Sequence, residues 1–274
     1  VSALKAAYRA ECRKRFEAVV ENVDFRRAAD KVALEINAWA ARATQGRIQG
    51  LIPSGTLTAA TRMVLANAVY FKGDWADKFD ESRTREGDFA AEGGKTVKVP
   101  FMSRKGDLRF AKKDGLAALE LPYKGRKLSM LVLLPDAPDG LAAMEQSLDA
   151  AELAGVDAAL RPEEVLVALP RFQMETSLEL SDPLKALGLG AAFGSDADFS
   201  GMTGAKDFSI DAVLQKAFVK VDEEGTEAAA ATAVVMKATS FRPPVLFRAD
   251  RPFLFLIRDA RGEVLFAGRV ADPG

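Results

Sequence analysis

Apolar residues recur every four positions at the start of the chain, at Leu4, Tyr8, Cys12 and Phe16. That spacing predicts a helix over Val1–Phe16. Val19–Phe25 has the length and composition of a short strand. Over Asp30–Ala43, Val32, Ile36 and Trp39 make an apolar stripe, which predicts a second helix with Gly46 as its stop. Thr61–Lys72 reads as a strand. Its centre, Met63–Phe71, is almost continuously apolar, as for a strand covered on both faces.

From Asp88 to Asp136, short apolar runs alternate with Gly, Lys and Pro. They predict strands over Val97–Met102, Leu108–Ala111, Leu116–Leu121 and Leu128–Leu134, with a tight turn at Lys124–Gly125. Leu141–Leu160 reads as a helix, and Val165–Leu180 as a strand broken at Pro170. Pro183–Phe193 reads as a short helix ending in glycines, and Ala212–Val221 as a strand. Pro252–Ile257 and Val264–Val270 form a closing hairpin around Ala260–Gly262. Antiparallel-type strands with helices in separate blocks give an α+β fold rather than a βαβ repeat. No repeat or low-complexity linker divides the 274 residues, so one large domain is expected.

Composition narrows the chemistry. Hydrophobic residues make up 49% and charged residues 28%, a globular balance. Lys and Arg number 38 against 39 Asp and Glu, a net charge of -1, which argues against a nucleic-acid binder. Histidine is absent. That excludes Ser-His-Asp and Cys-His triads and HExxH zinc sites. A single cysteine, Cys12, excludes an internal disulfide and a multi-cysteine metal site. No cofactor, metal or catalytic residue is expected, and no enzyme. No apolar run approaches the roughly 18 residues of a membrane helix, and no signal peptide is visible. Arg9, Arg13, Lys14 and Arg15 are diluted by Glu11 and Glu17 and read as a solvated helix face rather than a polyanion site. Gly188-Leu-Gly190-Ala-Ala-Phe193 follows a helix and lacks a third glycine, so it reads as a helix cap and not a dinucleotide loop. Acidic pairs such as Glu163–Glu164 and Glu223–Glu224 are weak signals in so charged a chain.

One segment, Glu224–Phe241, departs from its neighbours. Four alanines, Ala228–Ala231, favour a helix. Thr232, Val234, Val235 and Thr239 favour extended backbone, and a helix here lacks a clear apolar stripe. As a strand the residues sort better. One face carries Thr226, Ala228, Ala230, Thr232, Val234 and Met236, all uncharged, and the other has its charges, Glu227 and Lys237, at the two ends. Such a strand, left exposed, is a pairing hazard.

Several separated motifs carry a family resemblance. Asn67-Ala-Val-Tyr-Phe-Lys-Gly-Asp-Trp75 is similar to a strand signature of the serpins, the serine protease inhibitor family. Val221-Asp-Glu-Glu-Gly-Thr-Glu-Ala-Ala-Ala-Ala-Thr232 resembles their hinge signature. Arg251-Pro-Phe-Leu-Phe-Leu-Ile-Arg258 and Leu265-Phe-Ala-Gly-Arg-Val270 resemble their closing hairpin. Ile36-Asn-Ala-Trp39 and Gly46-Arg-Ile-Gln-Gly-Leu-Ile-Pro53 match as well, and the order is the family's from Val1 to Gly274.

The resemblance implies a single serpin-like domain over residues 1–274. It would have a large central mixed or antiparallel sheet, further β-sheets, flanking helices and a reactive loop over about residues 225–243. The family's amino-terminal helices precede what is seen at Val1. The implied hinge is Glu224, Gly225, Thr226, Glu227, Ala228, Ala229, Ala230, Ala231 and Thr232. The implied reactive bond is Thr239–Ser240, and the sheet-opening region is Asn67, Trp75 and Gln215. Gln215 stands where the family usually has a histidine hydrogen-bonded near the position of Asn67; glutamine donates and accepts as neutral imidazole does.

In the implied mechanism a protease attacks the loop and forms an acyl-enzyme. The freed loop then enters the main sheet between Thr61–Lys72 and Ala212–Val221 and traps the enzyme. Fourteen extended residues span about 45–50 Å, enough to drag the protease across the molecule. The expected partner is a serine protease, elastase-like or subtilisin-like from Thr239 and Ala238. Lys237 would suit a trypsin-like enzyme and Phe241 a chymotrypsin-like one if cleavage shifts by two residues. A monomer that binds neither nucleic acid nor membrane is expected, and the family often works outside the cell. The alternatives are a non-inhibitory chaperone, carrier or storage relative, and an inactive fragment.

Overall fold

The computed structural model describes residues 4–226 and 243–274. In chain order the elements are α1 (Ala6–Phe16), α2 (Phe25–Ala43), β1 (Val64–Tyr70), β2 (Gly73–Asp74), β3 (Arg85–Ala90), β4 (Thr96–Lys113), β5 (Leu116–Pro122) and β6 (Leu128–Pro135). There follow α3 (Leu141–Ser147), α4 (Ala150–Ala159), β7 (Arg161–Pro170), β8 (Phe172–Glu179), α5 (Ser181–Leu184), α6 (Ser200–Thr203) and β9 (Ala212–Val221). The last are β10 (Gly225–Thr226), β11 (Val245–Arg248), β12 (Phe253–Asp259) and β13 (Val264–Val270). The content is α+β. The residues group into two compact units, one running to Tyr70 and from Met174 to Phe218, the other from Phe71 to Gln173 and onward from Val219.

The first unit is built on α2. Asp24 accepts a hydrogen bond from the Arg26 N–H at 3.1 Å, an N-cap that satisfies one of the free donors of the first turn. Phe25 therefore opens a helix, and the strand expected over Val19–Phe25 does not form. Val32, Ala33 and Ala40 of α2 are buried against Leu214 and Phe218 of β9, and Val64, Ala66, Ala68 and Tyr70 of β1 pack on the same cluster. The helix ends as read: Gly46, at φ +81°, donates its N–H to the Ala41 carbonyl at 2.7 Å.

The reading of β1 needs correction. In β1 only the even-numbered face is packed; Leu65 is 45% exposed and Asn67 is exposed. A run apolar at both parities does not reveal which face is covered. Helix α1 forms as read; none of its residues is buried, and Phe16 is 76% exposed. β1 and β9 are direct parallel neighbours, from Val64 opposite Ala212 to Tyr70 opposite Phe218, and β8 lies on the other side of β9.

The second unit is an eight-stranded sheet in the order β11-β7-β4-β5-β6-β12-β13, with β3 also on β4. β4 joins the two expected strands into one of 18 residues. Its polar stretch Ser103–Asp107 stays extended because the ladder to β7 runs unbroken from Phe101 to Phe110. The single helix expected over Leu141–Leu160 is two. Asp149 accepts from the Glu152 N–H at 2.8 Å and so starts α4 afresh. Leu131 and Leu133 of β6 are fully buried with Val156, Leu160 and Leu256.

Leu131→Ala should cost about 2–5 kcal/mol, the lost transfer term plus the cavity. The urea midpoint should fall with an unchanged m-value.

Candidate functional site

Beyond Val221 the chain reverses in four residues. Asp222 and Gly225 exchange backbone hydrogen bonds, N–H to O, at 2.9 and 3.2 Å. The Asp222 carboxylate accepts the Glu224 N–H at 3.1 Å. The turn is clamped from outside. Trp75 N–H donates to the Glu224 carbonyl at 3.0 Å, Phe79 N–H to the Glu223 carbonyl at 2.9 Å, and the Trp75 indole N–H to the Asp222 carbonyl at 3.0 Å. Three consecutive carbonyls are thus occupied.

Gly225 pairs with Asp74 and Thr226 with Gly73, antiparallel. Gly225 sits at φ +142°, and a Cβ there would come within 2.6 Å of Asp74 Cα and Trp75 N. Glycine is required on both counts. Gly73 is also confined, its missing side chain being replaced by the rings of Phe71 and Tyr123 at 3.0 Å.

Glu223 is 2% exposed. Its carboxylate accepts from Arg171 Nε at 2.8 and 2.7 Å, from Arg171 Nη2 at 2.6 Å, and from the Thr84 hydroxyl. Burial pushes this carboxyl up, but the bonds from Arg171 and Thr84 and the Arg171 charge outweigh that and hold it below its ordinary value. Glu224 pairs with Lys78, and Asp222 with Lys220 at 3.1 Å. Beneath, Trp75 is buried and stacks on Tyr123 at 4.7 Å and 9°, with Phe79 edge-on at 6.2 Å.

The residues read from the sequence divide three ways. Trp75, Glu224, Gly225 and Thr226 come together here. Asn67 and Gln215 face each other in the β1–β9 register, Asn67 exposed and Gln215 half-buried. Among the described residues no side-chain hydrogen bond joins them. Glu227, Ala228, Ala229, Ala230, Ala231, Thr232, Thr239 and Ser240 lie outside the described residues. Sequence reading missed Arg171, Thr84 and Lys78 and dismissed Glu223. Arg171 and Glu223 are 52 residues apart, and no pattern along the chain links them.

Comparison with known proteins bears on this turn. The sequence matches the family described as serpin (serine protease inhibitor) over residues 2–273. Serpin-Z1C of Triticum aestivum is 42% identical over 272 residues, covering 94% of this chain and 68% of its own. The leukocyte elastase inhibitor of Sus scrofa is 41% identical over 276 residues, covering 96% and 72%. The crystal structure of Serpin48, a highly specific serpin of the insect Tenebrio molitor, superposes with a TM-score of 0.88 at 33% identity, covering 100% of this chain and 73% of that one.

Two outcomes follow from the geometry. A carboxyl held low in the fold adds stability above its unfolded pKa and loses it as pH falls. Glu223→Gln should therefore cost about 1–3 kcal/mol at neutral pH, and the two proteins should converge as pH drops below 4.5. Urea titrations across pH measure the gap; a pH-independent gap would contradict this. Gly225→Ala should destabilise more than Gly125→Ala. Both have positive φ, but only at 225 does a Cβ meet backbone.

Proposed function

The chain belongs to the serpin family, and we propose that it is a suicide-substrate inhibitor of serine proteases. The protease attacks Thr239–Ser240 and is acylated. The cut loop then enters the sheet between β1 and β9 before water frees the enzyme. Serpin loop insertion is a known instance of strand addition. The inhibitor is not itself an enzyme in this reading.

The observation that supports the reading is the pairing of β1 with β9 and of β10 with β2. β1 and β9 lie side by side in parallel. The turn at Asp222–Gly225 sends the chain back, and its first two residues pair antiparallel with β2. A strand continuing in that sense is antiparallel to both β1 and β9. Its entry would replace one parallel ladder by two antiparallel ones, which are somewhat more stable per residue. The alanines Ala228–Ala231 offer little bulk as the sheet parts. Thr226 enters uncharged, whereas a charge buried at that step would cost desolvation.

An elastase-like target is supported by Thr239 and by the relative named as a leukocyte elastase inhibitor. Incubation with pancreatic elastase and with subtilisin, read on a denaturing gel, should give a higher-mass adduct. A clipped band alone would defeat the proposal. Mass spectrometry of the released carboxy-terminal fragment should find it beginning at Ser240. Thr226→Arg should be cut without forming the adduct.

A further inference from the structure

Arg104 is 7% exposed, and among the described residues its side chain makes no ion pair and no hydrogen bond, its Nε included. Other buried cations are matched: Arg258 bonds Glu120 and Asp157, and Lys216 bonds Glu175 and the Gln49 carbonyl. A guanidinium keeps its charge in a protein, and a buried charge without a partner is costly. Buried polar groups as a rule have partners, and that of Arg104 is not among the described residues.

The surroundings are shaped around the guanidinium. Its central carbon lies 5.4 Å from the centre of the Phe79 ring, which attracts the charge but gives no N–H an acceptor. A Cβ at Gly106 would come within 2.9 Å of Arg104 Nη1, so glycine there leaves the room that the fork occupies. β4 pairs with β3 only up to Phe101 and with β5 only from Arg109. Over residues 102–108 its ladder runs to β7 alone, so the sheet is open on one side of Arg104.

Neighbouring charges set the kind of partner. Burial is the main cause that holds this guanidinium below its ordinary value; the Asp77 charge opposes it and the Arg126 charge adds to it. Asp77 and Arg126 are both exposed. Two positive charges against one negative leave a single positive charge, which a monoanion neutralises and a dianion would exceed. The planar fork of a guanidinium matches a carboxylate through two parallel hydrogen bonds.

We propose that Arg104 is the centre of a binding site for a small carboxylate monoanion, held by the guanidinium fork between Phe79 and Gly106. The site stands apart from the reactive-bond reading. It touches the turn at Asp222–Gly225 only through Phe79, whose N–H donates to the Glu223 carbonyl.

The test uses the full chain with acetate as the probe, chloride replacing it at constant ionic strength. The urea midpoint of the wild-type protein should rise and then level off as acetate is raised to about 100 mM. Arg104→Met replaces the buried charge by an apolar side chain. Its midpoint in chloride should equal or exceed that of the wild type, and acetate should leave it unmoved. Gly106→Ala keeps every charge but crowds the fork, and should weaken acetate about tenfold, the loss of one charge-assisted hydrogen bond. The NMR line width of isotope-labelled acetate reads binding directly. It should broaden with the wild-type protein and not with Arg104→Met, and if that variant does not fold, the comparison with Gly106→Ala decides. Sulfate should shift the wild-type midpoint less than acetate does; an equal or larger shift would overturn the choice of a carboxylate. No response of the wild type to acetate, or the same response in Arg104→Met, would overturn the site.

Discussion

The approach of the Gly225 backbone to Gly73–Trp75 is the constraint on which the rest of the turn at Asp222–Gly225 depends. No side chain fits between the two strands there. Because the backbones are so close, the carbonyls of Asp222, Glu223 and Glu224 all reach donors from Trp75 and Phe79. Because those carbonyls are fixed, the Glu223 carboxylate is directed at Arg171 and Thr84. The ion pairs and the backbone contacts thus act on the same four residues.

The two kinds of interaction in the second unit differ in how they can change. The sheet core is aliphatic, with Met130 to Leu133 fully buried, and close packing of that kind resists rearrangement. The turn at Asp222–Gly225 is held by hydrogen bonds and charge pairs. Each of those can be exchanged for another of similar strength with little net change in free energy.

Much of this was legible in the sequence because it was written locally. Ala212–Val221 as a strand, the Pro170 break and the Gly46 stop each depend on a few adjacent residues. What was not legible depends on residues far apart or on faces the pattern does not distinguish. Met63–Phe71 is apolar at both parities, so the exposure of Leu65 and Asn67 could not be read from it. The Ser103–Asp107 stretch is polar and looks like a loop, yet the ladder to β7 keeps it extended. Asp149 was an N-cap inside an otherwise continuous helical pattern. The hinge glycine and Trp75 were found through motif likeness, while Arg171, Thr84 and Lys78 belong to no motif and meet Glu223 and Glu224 only in the fold.

The position of β12 has a consequence for synthesis. It lies between β6 and the end strand β13, and Phe253 and Ile257 are fully buried, so one side of the sheet is supplied by a segment translated after residues 227–242. Until that segment leaves the ribosome, β6 keeps an unpaired edge, and the long sequence separation makes its closure slow. The nascent chain therefore has to carry residues 227–242 past an unfinished sheet. Any delay in translation after Arg242 lengthens the period in which that open edge can take the wrong strand.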